Sequence, residues 1–429
     1  MSLEAIRFRS SPKASLSILN QLQLPYQSTY LDIDSIAPIE KLTNFSGYEA
    51  IKGMYTRGAP AIMLVGCFSI VVELDRVLHG NSRDDVASSF GYDLESVDNF
   101  KSRLSERIDE LILSRPTAVN LANGCNQVKE IIDDFPNGDS NLEELYRSIL
   151  QFSENLYKQD YQSNIEIGQN GLQYVIDVLT EENFKGPFSV MTICNTGTLA
   201  TSGHGTALGI IRHLHKYLRK EVSNYDFYFE HTYPCETRPY NQGSRLTSYE
   251  LKYEKIPHTL VTDNMPSFLI DNLNRPEYHA NQYIRENLQS KAPVRFIFVG
   301  SDRIVKNGDL ANKIGTFQLS LISKFYSEVK FVGAAPTTTI DYETESGDSI
   351  RIEERPKDEL TMVLGAKMSG NEFSIDATTG DVLLERVRMA PLDINVWNPS
   401  FDVTPHENID CIVTENGYYI KDNSGDFKL

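Results

Sequence analysis

VRFIFVGSDRIVKNGDLANKIGTFQLSLI, residues 294 to 322, is the stretch on which the reading of the fold turns. Phe296-Ile297-Phe298-Val299 is an unbroken run of β-branched and aromatic residues, the composition of a parallel strand covered on both faces. Gly300 ends the run, and chemistry-bearing residues follow: Asp302 and Arg303 at the strand's carboxyl end, then Asn307, Asp309, Asn312 and Lys313 among Gly308 and Gly315. The pattern predicts a strand, a polar loop and a helix. Asn312 and Lys313 are expected in the first turn of that helix, where free backbone N–H groups and the helix dipole favour an anion. The carboxyl edge of an open α/β sheet is also where ligands bind. Taken alone, the same residues equally suit an Asp302–Arg303 ion pair at a strand end and a solvated Lys313.

Working outward, further strand-like runs stand at 188–193, 225–231, 258–262 and 329–335, and they alternate with helical stretches. That alternation is what a parallel sheet with crossover helices requires, so the second half reads as a Rossmann-like, doubly wound α/β domain. Each run ends in a polar loop, so several strand ends converge on one crevice. Cys194 opens the loop CNTGTLATSGHGTALG, which leads into a helix expected near Gly205. Such a position suits either an inert buried cysteine or a thiolate favoured by a helix N-terminus. The glycines Gly203, Gly205 and Gly209 miss the GxGxxG spacing, so no dinucleotide is expected. Asp263, another strand-end carboxylate, suits a helix cap or a role in orienting a site.

The first half differs. QLPYQSTYLDI near residue 30 alternates as short antiparallel strands do. Residues 47 to 74 read as a short helix, a turn at Arg57-Gly58-Ala59-Pro60 and an apolar helix, with Gly58 permitting a close backbone approach. Two helices between 97 and 132 break at Arg115-Pro116-Thr117, and a helical pattern runs from Asn141 to about Asn183. Arg57 and Arg115 thus each precede a proline at a helix start, where an arginine either shares an anion with the free N–H groups or simply caps a turn. A smaller α+β domain, 1–145, is expected before the larger one, 146–429. Residues 270 to 293 look like a polar helical addition, and 365 to 386 like a surface excursion.

A formal net charge of −18 over 429 residues argues against general binding to nucleic acid or anionic membrane. Five scattered cysteines without a CxxC pair point to a reducing compartment; a cytoplasmic location, with a nuclear pool besides, is expected. The N-terminus lacks the pattern of a secretory signal. The longest uncharged stretch, Gly58 to Val72, is shorter than the roughly 20 residues of a membrane span.

Taken together, the loops resemble a known family. TRGAPAI (56–62), SRPTAVNL (114–121), CNTGTLAT (194–201), ETRPYNQGSRLTSYEL (236–251), VTDNM (261–265), GSDRIVKNGDLANKIGT (300–316), AAPTTTID (334–341) and NPSFDVTPHENID (398–410) match, in order, the methylthioribose-1-phosphate isomerase family. The wider superfamily also holds ribose-1,5-bisphosphate isomerases and the regulatory subunits of a translation-initiation exchange factor, which bind partners rather than turn over substrate. The resemblance implies a homodimer and aldose–ketose isomerisation in methionine salvage, without metal or organic cofactor. It places the catalytic pair on Cys194 and Asp302. The sugar-phosphate contacts fall on Arg57, Gly58, Ala59, Arg115, Gln242, Asn312 and Lys313. Ser301, where alanine is usual, His204, where an aromatic is common, and the 365–386 excursion depart from the family pattern and bear on fine specificity.

Overall fold

The computed structural model describes residues 3–39, 45–81, 83–116, 119–138, 141–275 and 286–429. The chain forms two compact units, one of residues 1–24, 28–162 and 198–203, the other of 25–27, 163–197 and 204–429. The division falls inside the long helix Leu142–Glu181, between Gln162 and Ser163, rather than near 145.

The first unit opens with a four-stranded sheet of β1 (Ile6–Arg9), β2 (Ser15–Leu19), β3 (Tyr30–Ser35) and β4 (Phe45–Ser46), in that order. Ser46 then starts the helix Gly47–Lys52 with a capping box: its hydroxyl accepts the Glu49 N–H at 3.1 Å, and Glu49 accepts the Ser46 N–H at 3.0 Å. The helix Ala59–His79 is buried along most of its length, with Pro60 in its first turn. Gly58 precedes it at φ 99°, and a Cβ there would lie 2.3 Å from the carbonyl oxygen of Ala200, so this is the close approach the sequence calls for. Arg107, on the helix Val97–Ile112, lies in the same core as Glu73. Its Nε and Nη2 reach the two Glu73 carboxylate oxygens at 2.5 and 2.7 Å, and Nη2 also donates to the Ala37 carbonyl. Tyr92 Oη and the Ile36 N–H complete the shell around the carboxylate at 2.8 and 2.7 Å.

The second unit is built on a six-stranded sheet. Its strands are β5 (Gly186–Thr192), β6 (Phe227–Pro234), β7 (Val294–Val299), β10 (Lys330–Ala334), β17 (Cys411–Thr414) and β18 (Gly417–Ile420), in the order β18-β17-β10-β7-β5-β6. All pairings are parallel except that of β17 with β18. Counting β5, β6, β7, β10 and β17 as one to five, the order is 2-1-3-4-5, so the winding reverses between β5 and β7. Every residue of β7 is buried, as its apolar run predicts. The expected strand at 258–262 is not one. His258 and Val261 make only isolated bridges to Thr232 and Cys235, so this segment skims the sheet edge.

A second sheet, ordered β11-β8-β9-β16, consists of β8 (Arg303–Val305), β9 (Leu310–Lys313), β11 (Ile340–Asp341) and β16 (Phe401–Thr404). It corrects the expected loop after β7: Asn307 and Gly308 turn a hairpin, with Gly308 at φ 92° and its N–H on the Val305 carbonyl. Asn312 and Lys313 therefore lie on a strand, and the helix begins later, at Thr316–Phe325.

The excursion folds as a ribbon of β12 (Met362–Ala366) against β15 (Leu384–Arg388), with β13 (Met368–Ser369) and β14 (Glu372–Phe373) as an inner hairpin. Gln27 joins it by donating to Asp381 at 2.6 Å and accepting the Val382 N–H at 2.9 Å. Past the ribbon, Trp397 stands 78% exposed. Residues 276–285 of the polar addition at 270–293 lie outside the described residues, as does Ser140, which the sequence offers as a cap for the helix that follows.

Candidate active site

Because β5 and β7 pair directly, with Met191 opposite Ile297 and Thr192 opposite Phe298, their carboxyl ends leave the sheet side by side. Cys194 follows one end and Asp302 the other, both half-buried. This is the point where the winding reverses, which opens a crevice between the outgoing chains.

Cys194 sits in an uncommon backbone state, φ 68°, which costs a non-glycine residue about 1–3 kcal/mol. Its N–H donates to Thr237 Oγ1 at 2.9 Å, and its carbonyl accepts the Thr247 hydroxyl at 2.5 Å. Thr237, also left-handed at φ 67°, is held in turn by its N–H on Asp263 Oδ1 at 2.8 Å and its hydroxyl on the Cys235 carbonyl at 3.0 Å. The Arg238 N–H takes the other Asp263 oxygen at 2.7 Å, so this carboxylate orients the loop instead of capping the next helix. Burial pushes its pKa up against those two hydrogen bonds. Next to Cys194, Asn195 donates to Glu250 at 2.8 Å, and Arg212 pairs with Glu250 at 2.7 Å.

Gln242 is buried at the head of a π-helical turn, Gly243–Thr247, a feature frequent at functional sites. Gly243 lets this turn press onto the end of β6, since a Cβ there would stand 1.6 Å from the Cys235 carbonyl oxygen. Gln242 Oε1, Asn241 Oδ1, Asn195 Oδ1 and Ser248 Oγ are buried without a hydrogen-bond partner. Buried acceptors left this way suit the hydroxyl groups of a polyol ligand.

On the hairpin, Asp302 is fixed by its N–H on the Ala311 carbonyl at 2.9 Å. Arg303 points to Asp341, 3.4 Å away, so the neighbouring-residue ion pair with Asp302 is not what its guanidinium forms. Lys313 is buried too: its ammonium donates to the Ser400 carbonyl at 2.8 Å and lies 4.3 Å from the Phe401 ring centre and 5.9 Å from that of Tyr240. Asn312 donates to Thr316 at 3.0 Å. The helix N-terminus expected to attract an anion already holds one, because the Asp402 carboxylate accepts the Gly315 and Phe317 N–H groups at 2.7 and 3.0 Å. Burial raises Asp402 to about 6, against the pull of those two bonds and of Lys313.

Asp309 has a structural part. It accepts the Asn307 side chain, the Gly347 N–H, and the His406 N–H and Nδ1, all at 2.8–2.9 Å. Asp309, His406 and Glu407 are close enough to hold a metal ion, but these donors already occupy the Asp309 oxygens. His231, four positions before Cys235, bonds the Thr259 hydroxyl at 2.9 Å.

Cys194, Asp302, Gln242, Asn312 and Lys313 thus belong to the second unit. Arg57, Gly58, Ala59 and Arg115 belong to the first, where Arg57 and Arg115 are half-buried just before the helix Ala59–His79 and just after Val97–Ile112. Sequence reasoning missed Thr237, Thr247 and Asp402. All three lie within matched motifs, but nothing in their spacing signals that they hold the backbone of residues tens of positions away.

The chain is an α/β protein of the initiation factor 2 subunit family, whose model matches residues 87–420. Within it, the curated methylthioribose-1-phosphate isomerase of Komagataella phaffii is 50% identical, with both chains covered in full, and that of Lodderomyces elongisporus is 48% identical, covering 100% of this chain and 98% of the other. The chain belongs to this family of isomerases, which are enzymes. Among solved structures, the 5-methylthioribose 1-phosphate isomerase of Pyrococcus horikoshii OT3 aligns with a TM-score of 0.70 at 27% identity, covering 97% of this chain and 92% of that one. A translation initiation factor eIF-2B subunit delta from A. fulgidus gives 0.68 at 29%, covering 99% and 98%. Fold likeness therefore does not separate the isomerase from the initiation-factor subunit; the residues at the strand ends must. No helix among the described residues is long and apolar enough to cross a membrane.

Proposed function

We propose that this chain converts 5-methylthioribose 1-phosphate to 5-methylthioribulose 1-phosphate in methionine salvage, with Cys194 and Asp302 as the reacting pair. The observation that carries the reading is their placement on adjacent strand ends at the reversal of winding, beside buried acceptors that lack partners.

The phosphate on C1 locks the sugar as a ring, so ring opening precedes isomerisation. Asp302 gives its proton to the ring oxygen; the guanidinium of the adjacent Arg303 engages Asp341. Hydrogen then moves from C2 to C1, either as a proton through an enolate with Cys194 as acid and base, or as a hydride with Cys194 assisting. Gln242 orients a hydroxyl or phosphate oxygen. Arg57, Gly58, Ala59, Arg115, Asn312 and Lys313 hold the phosphate. Lys313 departs furthest from a free phosphate ligand, since its ammonium already bonds the Ser400 carbonyl. The protein acts as a homodimer in the cytoplasm, with a nuclear pool compatible with the same chemistry.

The test is turnover of methylthioribose 1-phosphate by the purified chain, beside Cys194→Ser and Asp302→Asn, with ribose 1,5-bisphosphate as rival substrate. Loss in both variants supports the pair. Turnover of the bisphosphate alone moves the chain to the sister activity, and no turnover of either supports a binding scaffold like the eIF-2B subunit it resembles.

A further inference from the structure

We propose that Thr237 and Thr247 are positioning residues whose hydroxyls clamp the two ends of the Cys194 backbone and so fix the direction of the Cα–Cβ bond that carries its thiol; this rests on reading Cys194 as a reacting group. Three observations converge. The Cys194 backbone is left-handed, a state that a side-chain-bearing residue keeps only when its surroundings over-determine it. Its N–H and its carbonyl are each taken by a threonine hydroxyl, at 2.9 and 2.5 Å, so neither peptide can rotate without losing a bond. Both threonines come from one segment, 235–247, which is itself anchored independently of Cys194.

That anchoring is what makes the pair a device. Thr237 is fixed by Asp263 through its N–H and by the Cys235 carbonyl through its hydroxyl. Its hydroxyl hydrogen is thereby committed to Cys235, which leaves the oxygen lone pairs facing the Cys194 N–H. Thr247 closes the π-helical turn that Gly243 seats against β6, and its hydroxyl hydrogen goes to the Cys194 carbonyl. Asn195, the next residue, is held by Glu250 on the helix Ser248–Tyr253, which directly continues that turn. The direction of the Cys194 Cα–Cβ bond, from which the thiol projects, is set before any substrate arrives, the condition under which a nucleophile or proton carrier loses least on reaching its transition state.

The experiment uses the full chain and the reaction of its thiols with iodoacetamide, because the other four cysteines are buried and Cys194 is not. Thr237→Val and Thr247→Val remove each hydroxyl with little change of volume, and Thr237→Ser and Thr247→Ser keep it. Each valine variant is expected to lower kcat about tenfold to a hundredfold with KM changed less than about threefold, and to change the Cys194 alkylation rate about threefold or more, while the serine variants restore both. Wild-type kcat and alkylation rate in both valine variants would overturn the proposal. So would a loss of kcat that follows a loss of melting temperature and that serine does not restore, since the hydroxyls would then serve the fold alone. Should Thr237→Val not fold, Thr247→Val and the serine variants decide the question. If alkylation responds as expected in a chain that turns over no sugar phosphate, the clamp stands and the reaction assigned above falls.

Discussion

Glu73 with Arg107 in the first unit and Cys194 with its loop in the second are both buried polar arrangements, and they are built on opposite terms. The Glu73 carboxylate has donors on both oxygens from Arg107, Tyr92 and the Ile36 backbone. Around Cys194 the backbone is left-handed, and four nearby side-chain acceptors or hydroxyls lack partners. A closed network fixes a fold; an open one retains groups that a ligand can complete.

The largest effect expected separates the two without touching stability. Asp302→Asn should lower kcat/KM about 10²- to 10⁴-fold with an unchanged melting temperature, the range for losing a positioned acid. Near-normal turnover would remove Asp302 from the chemistry. Arg107→Met should do the reverse, leaving a buried carboxylate uncompensated at a cost of about 3–5 kcal/mol in denaturant unfolding. A loss below about 1 kcal/mol would mean the closed network is not what holds this core.

Asp402 supplies a pH contrast. Its pKa rises from an ordinary 3.8 to about 6 on folding, so between those values the folded state binds more protons than the unfolded one. Its contribution to stability is therefore fully present below 3.8 and is lost as pH rises through about 6. At about 1.4 kcal/mol per unit this amounts to roughly 2–3 kcal/mol, read as the difference between wild type and Asp402→Asn in urea midpoints across that window. Parallel pH curves for the two proteins would refute it. The smallest effect is a gain: Cys194→Gly should be more stable than Cys194→Ala by about 1 kcal/mol, because glycine adopts the left-handed state without a Cβ penalty. Equal stabilities would mean that the backbone there is not strained.

The sheet was legible where burial leaves a long apolar signature. Val294–Val299 is buried on both faces and reads as such. Cys411–Thr414 is equally buried but only four residues long, too short to stand out from a loop. The run 258–262 has the β-branched content of a strand, yet at the sheet edge tertiary pairing supplied only isolated bridges. The polar density of 301–313 hid a hairpin whose Asn307-Gly308 turn the sequence carries. For the site, Cys194 and Asp302 were visible as strand-end residues. The geometry of Cys194 was not, because its left-handed state depends on hydroxyls 43 and 53 positions further along the chain.

Trp397 gives the protein an optical consequence. As the single tryptophan of the chain and a largely exposed one, it is the source of the red-edge intrinsic emission, with no second indole to dilute it. It stands three residues before Ser400, whose carbonyl holds the Lys313 ammonium. A sugar phosphate that draws Lys313 from that carbonyl would perturb the segment that carries the fluorophore into β16. Occupancy of the crevice then becomes a quantity that can be followed in a cuvette, in real time and without a label.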